Sequence, residues 1–426
     1  MPPLPLSLKT YCAATSLLEP IAPALLERRA RRGKECRLRI RERLGFAAQP
    51  RPLGRLVWIH GASVGECLAV LPLIHSLLSE PGRSVLLTSG TVTSAKMMKS
   101  RLPPHAVHQF APVDTPRAVA RFLTHWQPDA GVFVDSEIWP NILIAAHAAG
   151  VPLAIVNGRM TDRSFAGWNK AKAAAASLFA LYEIALAQDN ETAAKFKALG
   201  AQAVEISGSL KADAPPLPAD PVKLEALRRE IGDRPLFLAT NTHAGEEPEI
   251  IRVHDALRAQ FPALLSVIVP RHIERGVEIA QSAAPRPVAC RSSHERIEAG
   301  TEIYVADTMG ELGLFYRLAS FAFIGKSLAG QGGQNPLEAA RLGVAVVAGP
   351  HTENFREAYE AIFAAQGFGL VTSSDDLRIA ATRLLVNPDE ARHLGAAAAR
   401  AVEALSGALE RTRRAVETLL KTHACA

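Results

Sequence analysis

The sequence predicts an α/β protein made of two doubly wound domains, each with a parallel sheet covered by helices on both faces. Three observations predict this fold class. Short apolar runs alternate with alanine-rich helical stretches in both halves of the chain. The 426 residues are 48% hydrophobic and 21% charged, which suits two cores of roughly 200 residues each. The stretch 212–221 contains four prolines, which block regular structure and separate the halves.

Six apolar runs have the length and composition of buried strands. Strands of parallel sheets are buried on both faces, so they read as continuous apolar stretches. The first three runs are 85–88, 131–134 and 153–156, and the later three are 236–239, 264–269 and 344–347. With the proline-rich stretch they predict an N-terminal segment at 1–46, a first domain at 47–212, a linker at 213–222, and a second domain with C-terminal helices at 223–426.

The N-terminal segment combines an apolar stretch with a basic run. Residues 11–26 are apolar but interrupted by Glu19, Pro20 and Pro23, and a spanning helix needs roughly 20 apolar residues. Residues 28–43 carry much of the excess that gives the chain its formal net charge of +6. We predict attachment to an anionic membrane surface, with each basic residue adding on the order of 1 kcal/mol; whether the segment spans the bilayer or lies on it stays open.

A solvated helix face and an arm for nucleic acid are the alternatives for the basic run. Nucleic-acid sites usually place aromatic residues or a reading fold beside the charge, and this run has neither. We therefore predict no nucleic-acid partner.

Cysteine and histidine usage predicts neither disulfides nor a metal site. The five cysteines are odd in number and scattered, as in proteins of a reducing compartment. The loop histidines His60, His243, His272 and His351 lack the spacing of metal ligands. We predict that they form hydrogen bonds, and that the protein uses no metal and no cofactor.

The most informative motif lies in the second half, where a predicted strand ends in a glycine loop and a helix begins. Residues 321–324 form the apolar run and 325–333 the loop. Asn335 can cap the helix, Pro336 suits its first position, and Glu338 stands three residues after the cap. Free amides suit phosphate, and a carboxylate suits ribose hydroxyls. We interpret the motif as a nucleotide-sugar site; an ordinary capped helix is the alternative.

A motif of the same kind occurs in the first half. The predicted strand 56–60 ends in a small-residue turn, and Glu66 stands near the start of the following helix. We expect this carboxylate to face an interdomain cleft, although complementing the helix macrodipole, worth a few tenths of a kcal/mol, would also explain it. Asp135 and Glu137 follow the run 131–134, at the carboxyl edge of a parallel sheet, where ligands bind.

Taken in order, the motifs resemble those of the 3-deoxy-D-manno-octulosonic acid (Kdo) transferases, which are GT-B glycosyltransferases. The resemblance covers nearly the whole chain, and implies two Rossmann-like domains that face each other across a cleft. It also implies inverting transfer of Kdo from CMP-Kdo to the tetraacylated lipid A precursor, lipid IVA, in lipopolysaccharide core biosynthesis, without a metal. The matching segments are 60–66, 88–93, 137–141, 208–211, 242–247, 270–272, 307–312, 333–338 and 349–351.

The resemblance implies roles for particular residues. Glu66 matches the catalytic base, which takes the proton of the acceptor hydroxyl. Asp135 and Lys211 match the positions that stabilise the transition state. A solvated loop charge is the alternative for Lys211. The implied contacts with CMP-Kdo, in the second domain, are Pro270, Arg271, Met309, Gly310, Glu311, Asn335, Pro336, Leu337 and Glu338.

Three positions depart from the family's pattern. Asp135 stands where the family usually has Glu, which could move the charge by more than about 1 Å, and Glu137 is a candidate to share its role. Gln334 stands where His is common, and an amide cannot become a cation near pH 7. Lys326 replaces a glycine, and we hypothesise that its charge partly compensates for Gln334.

The implied partners are CMP-Kdo, the lipid A precursor and anionic lipids, which places the protein at the cytoplasmic face of the cell inner membrane. Two alternatives stay open. One is a GT-B enzyme that uses another nucleotide sugar. The other is a non-catalytic membrane-associated scaffold that has lost its chemistry at Asp135 and Gln334. The presence of Glu66, Lys211 and Arg271 argues against the scaffold.

Overall fold

The computed structural model describes residues 3–330 and 332–422. These residues form two compact units. The first unit runs to Ala214 and includes the chain again from Ser406, and the second unit is Pro215–Leu405. The change of unit after Ala214 falls inside the predicted linker 213–222.

The first unit is built on a parallel sheet of seven strands. These are β1 (Arg55–His60), β2 (Arg83–Ser89), β3 (Ala106–Phe110), β4 (Ala130–Val134), β5 (Leu153–Gly158), β6 (Tyr182–Ala187) and β7 (Val204–Ile206). Their order is β3-β2-β1-β4-β5-β6-β7, and all the pairings are parallel. The carboxyl ends of all seven strands therefore lie at one edge of the sheet.

Each face of this sheet is buried in its own core, because successive side chains of a strand point to opposite faces. Trp58 belongs to one core, together with Phe122 and Phe133. Its neighbour Val57 belongs to the other core. This double burial is why the strands read as continuous apolar runs.

Eleven α-helices lie in the described part of the first unit that precedes the second unit along the chain. Four of them begin at side-chain caps, Ser63, Thr91, Thr161 and Asp189, each accepting a backbone N–H of the first turn. The helices are α1 (Leu6–Leu18), α2 (Ala22–Arg31), α3 (Ile40–Arg43), α4 (Val64–Ala69), α5 (Leu71–Leu78), α6 (Val92–Lys99), α7 (Pro116–Trp126), α8 (Pro140–Ala148), α9 (Asp162–Lys170), α10 (Lys172–Phe179) and α11 (Asn190–Ala198).

The N-terminal segment packs on the first unit. Leu8 of α1 is 3% exposed in the core of that unit. The Tyr11 hydroxyl donates to Asp114 at 2.9 Å, and the Asn141 side chain donates to Thr15 at 3.0 Å. Across residues 3–330 and 332–422, every helix falls short of the length and apolar character that crossing a membrane requires.

The second unit repeats the architecture of the first. Its strands are β8 (Leu236–Thr242), β9 (Leu265–Pro270), β10 (Val288–Cys290), β11 (Ile303–Val305), β12 (Phe321–Ile324), β13 (Ala345–Ala348) and β14 (Phe368–Leu370). Their order is β10-β11-β9-β8-β12-β13-β14, again with parallel pairings. Its helices are α12 (Pro221–Ile231), α13 (Glu247–Arg258), α14 (Gly276–Ala283), α15 (Leu312–Tyr316), α16 (Leu337–Arg341), α17 (Arg356–Ala364), α18 (Ser374–Val386) and α19 (Pro388–Ala404). The predicted fold class, two doubly wound parallel α/β domains, is confirmed.

The last described helix, α20 (Ala408–Thr422), returns to the first unit. Its apolar face, including Val416 and Leu420, lies in the core on one face of the first sheet. The Asp213 carboxylate accepts the N–H groups of Gly407 and Leu409 at 2.7 and 2.6 Å, and Arg83 donates to Glu417 at 2.7 Å. The predicted second domain, 223–426, is wrong for this helix, because an apolar stripe indicates burial without identifying the partner.

Candidate active site

Three of the predicted site residues follow strands of the first sheet at its carboxyl edge. Glu66 comes after β1, Asp135 after β4, and Lys211 after β7. Their charges act on one another, since the pKa values of Asp135 and Lys211 both respond to Glu66. The structure therefore brings these three side chains into one electrostatic group.

Glu66 is held by its own helix turn. The Ser63 hydroxyl accepts the Glu66 N–H at 3.3 Å and donates to its Oε1 at 2.5 Å. The Ala62 N–H donates to Oε2 at 2.7 Å. This reciprocal capping box orients the carboxylate, and each oxygen keeps a further lone pair that can accept a proton. Capping and catalysis are thus compatible at Glu66.

Asp135 is the most strained member of the group. Its backbone is left-handed, with φ of +58°, and its N–H donates to the Val156 carbonyl at 3.0 Å. Burial, with help from the negative charge of Glu66, raises the pKa of Asp135 to about 6, against the opposing effects of Asn157 and Lys211. The carboxyl group therefore changes charge within the physiological range.

Lys211 lies on a short 3₁₀ helix, Leu210–Asp213, whose cap Ser209 accepts the Lys211 N–H at 3.4 Å. Burial lowers the pKa of Lys211, while Asp135 and Glu66 act to raise it. The half-buried ammonium group is therefore coupled to two carboxylates, which differs from the solvated loop charge considered as its alternative.

Glu137, considered as a partner in the role of Asp135, is engaged elsewhere. Its Oε2 lies 3.7 Å from His60 Nε2 and accepts the Trp139 indole N–H at 2.8 Å. Burial acts to raise the pKa of Glu137, but the hydrogen bonds and the charge interaction with His60 outweigh it, so the pKa lies below its usual range. His60 in turn lies 2.9 Å from the Thr88 hydroxyl through Nδ1.

In the second unit, Pro270 ends β9 and Asn335, Pro336 and Leu337 lead into α16. The helix begins at Leu337, one residue later than predicted, and the Asn335 side chain accepts the Leu337 N–H at 3.1 Å. Burial raises the pKa of the half-buried Glu338, and Asn335 and Arg271 act to lower it. Arg271 is exposed and lies just past β9. Its positive charge therefore favours the ionised form of Glu338.

Met309, Gly310 and Glu311 lie between β11 and α15. Glu311 belongs to an ion-pair network. It pairs with Arg291 and, at 2.7 Å, with Lys223. The hydrogen bond from Arg291 is the main reason that the pKa of Glu311 falls to about 2. Glu311 and Met309 also line a cavity of about 560 Å³.

Glu246, inside the matching segment 242–247, has a structural role that the sequence did not predict. Its carboxylate is fully buried and accepts four backbone N–H groups, from His243 (3.0 Å), Lys326 (2.6 Å), Ser327 (2.9 Å) and Leu328 (3.1 Å). The last three belong to the glycine loop after β12. Glu246 therefore fixes the shape of that loop, and an acid directly before α13 was the only signal in the sequence.

The glycine loop carries two of the residues that depart from the family's pattern, Lys326 and Gln334. Lys326 has a left-handed backbone, with φ of +57°, a conformation that glycine adopts without strain. The Gln334 amide lies 3.0 Å from His243 Nε2. Burial lowers the pKa of His243, and the nearby charges of Lys326 and Arg271 lower it further. A neutral His243 thus faces Gln334, with two cations close by.

Metal ligation has no support in the described residues, where no group of three or more His, Cys, Asp or Glu side chains could hold a metal ion. Cys12, Cys36, Cys67 and Cys290 are free thiols. Cys425 lies outside the described residues.

Two seven-stranded parallel sheets, with acids and cations gathered at their carboxyl edges, define an α/β protein of the GT-B class. The solved structure of UDP-GlcNAc 2-epimerase from Neisseria meningitidis has a similar fold, with a TM-score of 0.57, 16% identity, and coverage of 86% of this chain and 100% of that chain. The family model for 3-deoxy-D-manno-octulosonic-acid transferase (kdotransferase) matches residues 38–214.

Curated relatives extend this match over most of the chain. The 3-deoxy-D-manno-octulosonic acid transferase of Haemophilus influenzae is 34% identical over 385 residues, covering 88% of this chain and 90% of the relative. That of Bordetella pertussis is 35% identical over 433 residues, covering 96% and 99%. The chain belongs to the 3-deoxy-D-manno-octulosonic acid transferase family of glycosyltransferases.

Proposed function

We propose that the protein transfers Kdo from CMP-Kdo to a hydroxyl of lipid IVA, the tetraacylated lipid A precursor, in lipopolysaccharide core biosynthesis. The observation that carries the proposal is the coupled group of Glu66, Asp135 and Lys211 in a chain of this family. A single displacement with inversion needs a base, a group that stabilises positive charge on the sugar, and a group that stabilises the departing phosphate.

Glu66 serves as the base. The Ala62 N–H and the Ser63 hydroxyl donate to its two oxygens and hold the carboxylate in one orientation without protonating it. The acceptor hydroxyl gives its proton to a Glu66 oxygen as its own oxygen attacks the anomeric carbon. Asp135, when ionised, stabilises the oxocarbenium character of the sugar, and Lys211 balances the negative charge that grows as CMP departs.

Donor binding belongs to the second unit in this proposal. Arg271 can pair with the phosphate through its planar guanidinium group, while Glu338 and Asn335 offer acceptors for ribose hydroxyls. Met309, Gly310 and Glu311 contact the nucleotide from the side of the cavity that Met309 and Glu311 help to line. Because Arg291 and Lys223 neutralise Glu311, its carboxylate does not repel the donor phosphate.

The decisive experiment compares the wild type with Glu66→Gln. Purified protein in detergent is incubated with lipid IVA and freshly generated CMP-Kdo, and the lipid mass is followed. We expect Kdo-sized increments from the wild type, whose number reports how many residues are added. Glu66→Gln keeps the size of the side chain but cannot take a proton, so we expect a loss of about 10²- to 10⁴-fold. Thermal unfolding of both proteins controls for misfolding.

Two outcomes would contradict the proposal. Transfer from a UDP-hexose by a wild-type protein that ignores CMP-Kdo would identify another donor. An inactive wild type, beside an active enzyme of the same family, would favour the non-catalytic scaffold, with Asp135 and Gln334 as the first positions to revert.

We further propose that the N-terminal segment holds the protein on the cytoplasmic face of the inner membrane. Exposed apolar side chains occur along α1 and α2, including Leu6 (79%), Leu17 (81%) and Leu25 (56%). The basic run divides into three sets. Arg29 and Arg43 pair with the buried Glu35, and Arg39 with the buried Glu42, so these support the fold. Arg31 and Arg37 are exposed and pair with Glu27. The remaining residues, called the exposed set, are Arg28, Arg32, Lys34 and Arg41.

Vesicle flotation tests this attachment. We expect binding to vesicles that contain anionic lipid, weakened by salt, and reduced when the exposed set Arg28, Arg32, Lys34 and Arg41 is changed to Gln. As a matched control, Arg378→Gln and Arg392→Gln remove exposed arginines of the second unit. Equal flotation of the N-terminal variant and the wild type would contradict the proposal.

A further inference from the structure

Asn157 connects three loops at the carboxyl edge of the first sheet. Its side-chain amide donates to Asp135 Oδ1 at 2.7 Å. Its side-chain oxygen accepts the Leu210 N–H at 2.9 Å. Its backbone carbonyl accepts the Gln188 side chain at 2.8 Å. One residue at the end of β5 thus contacts Asp135, the residue before Lys211, and the loop after β6.

The chemistry of this position suits asparagine. Asn157 is 1% exposed, so each polar atom of its side chain needs a partner. The amide supplies a donor for a carboxylate and an acceptor for a backbone N–H, and Asp or Leu cannot supply both. The backbone is left-handed, with φ of +52°, which asparagine tolerates better than most residues.

We propose that Asn157 is a positioning residue that holds the Asp135 carboxylate in register with the loop that carries Lys211. The inference rests on the proposed function, because Kdo transfer is the reaction that Asp135 and Lys211 would serve. Asn157 acts through those two residues. The hydrogen bond to the ionised carboxylate also opposes the effect of burial, so Asn157 keeps Asp135 charged at a lower pH than burial alone would allow.

Two variants separate positioning from general support of the fold. Asn157→Gly keeps the left-handed backbone accessible and deletes both side-chain hydrogen bonds. We expect kcat to fall on the order of 10- to 100-fold, while KM for CMP-Kdo changes little. Asn157→Asp keeps the acceptor for Leu210 but places a second carboxylate against Asp135. Two neighbouring carboxyl groups keep one proton between them up to a higher pH than a single group does. The pH at which kcat falls on the acid side of the profile should therefore be higher than in the wild type.

Gln127→Gly is the matched control. Gln127 also has a left-handed backbone, with φ of +40°, at the exposed end of α7 in the same unit. The change therefore adds the same backbone freedom away from the site. We expect wild-type kcat from this variant. An Asn157→Gly variant with wild-type kcat, or an Asn157→Asp variant with an unmoved acid limb, would overturn the inference.

A titration decides the inference even if the wild type proves inactive with CMP-Kdo, a result that would overturn the proposed function instead. The Asp135 carboxyl signal is followed by ¹³C NMR in labelled protein and assigned by its loss in Asp135→Asn. Removing the donated hydrogen bond in Asn157→Gly should raise the pKa of Asp135. An unchanged or lower pKa would show that Asn157 does not hold this carboxylate.

Discussion

Asp135 combines two unfavourable features, a left-handed backbone and a buried carboxyl group beside Glu66. Strain of this kind persists where the surrounding structure enforces it, and it clusters at functional sites. Here the enforcement comes from Asn157 and from the bond between the Asp135 N–H and the Val156 carbonyl. Asp135 therefore destabilises the folded state, but it places a charged group at the carboxyl edge of the first sheet.

Replacing Asp135 by Asn should stabilise the protein and abolish most of its activity. A raised pKa means that the folded state holds the proton more tightly than the unfolded chain. Below the unfolded pKa near 4, the carboxyl group is protonated in both states and burying it costs least. As the pH rises from there to about 6, the group destabilises the folded protein increasingly, and above about 6 the destabilisation stays constant. We expect Asp135→Asn to gain about 1–3 kcal/mol at pH 8, and much less at pH 4.5.

Urea unfolding at the two pH values measures this difference. The left-handed backbone accommodates Asn, so the substitution adds no strain. A gain of equal size at both pH values would show that the charge of Asp135 is not its source.

Lys326 is predicted to contribute its charge to turnover. Lys326→Gly removes the cation and suits the left-handed backbone, whereas Lys326→Ala removes the cation and keeps the strain, which costs roughly 1–2 kcal/mol. We expect both to lower kcat on the order of tenfold, about 1.4 kcal/mol of transition-state stabilisation. Thermal unfolding should separate them, with the Gly variant the more stable. Unchanged turnover in both would refute compensation for Gln334.

Local patterns revealed the site residues that act within their own turn. Glu66 was found from its place near the start of the helix after β1, and Ser63, three residues before it, completes that turn. Asn157 and Glu246 act across long stretches of chain, on Leu210 and on the loop at Lys326. No local pattern marks such contacts, so the sequence could not assign their roles.

At the scale of elements, the sequence predicted the central strands of each sheet and missed the outer ones, which are β3, β6, β7, β10, β11 and β14. The runs 131–134 and 153–156 correspond to β4 and β5, which are buried throughout. The outer strands β7, β10 and β14 have three residues each and are partly exposed. Such short segments become strands only by pairing with a neighbour, so their composition does not distinguish them from loops.

The shape of the whole glycine loop after β12 should depend on the Glu246 carboxylate. In Glu246→Gln, an amide group replaces one of the two oxygens that accept backbone N–H groups. We expect a loss of about 1–3 kcal/mol in stability and a higher KM for CMP-Kdo, because the loop loses its shape. Glu249→Gln, in the first turn of α13 but paired at the surface with Arg252, is the control. Wild-type KM in Glu246→Gln would contradict this assignment.

At the scale of the whole molecule, the first unit is discontinuous in sequence. Its core is completed by α20, which packs against α5, β4 and β5. The amphipathic pattern of α20 indicates a buried face, but both sheets need helices on their apolar faces, so such a pattern cannot select between them.

Removing α20 should therefore unfold the first unit selectively. We expect a chain that stops after Leu405 to show exchange of backbone amides throughout β1–β7, while β8–β14 keep their protection, as measured by hydrogen exchange with mass spectrometry. A chain that stops after Thr422 is the control, because it keeps every described element. Equal protection of both sheets in the shorter chain would contradict the role of α20.

The position of α20 along the chain also affects how the protein is made. A ribosome finishes the second unit before it reaches α20, and domains generally fold as they emerge. Throughout that interval the sheet that carries Glu66 exposes the apolar face that Val416 and Leu420 later cover. Chaperones and proteases recognise such faces. A chain released before α20 is made therefore keeps this apolar face exposed to both.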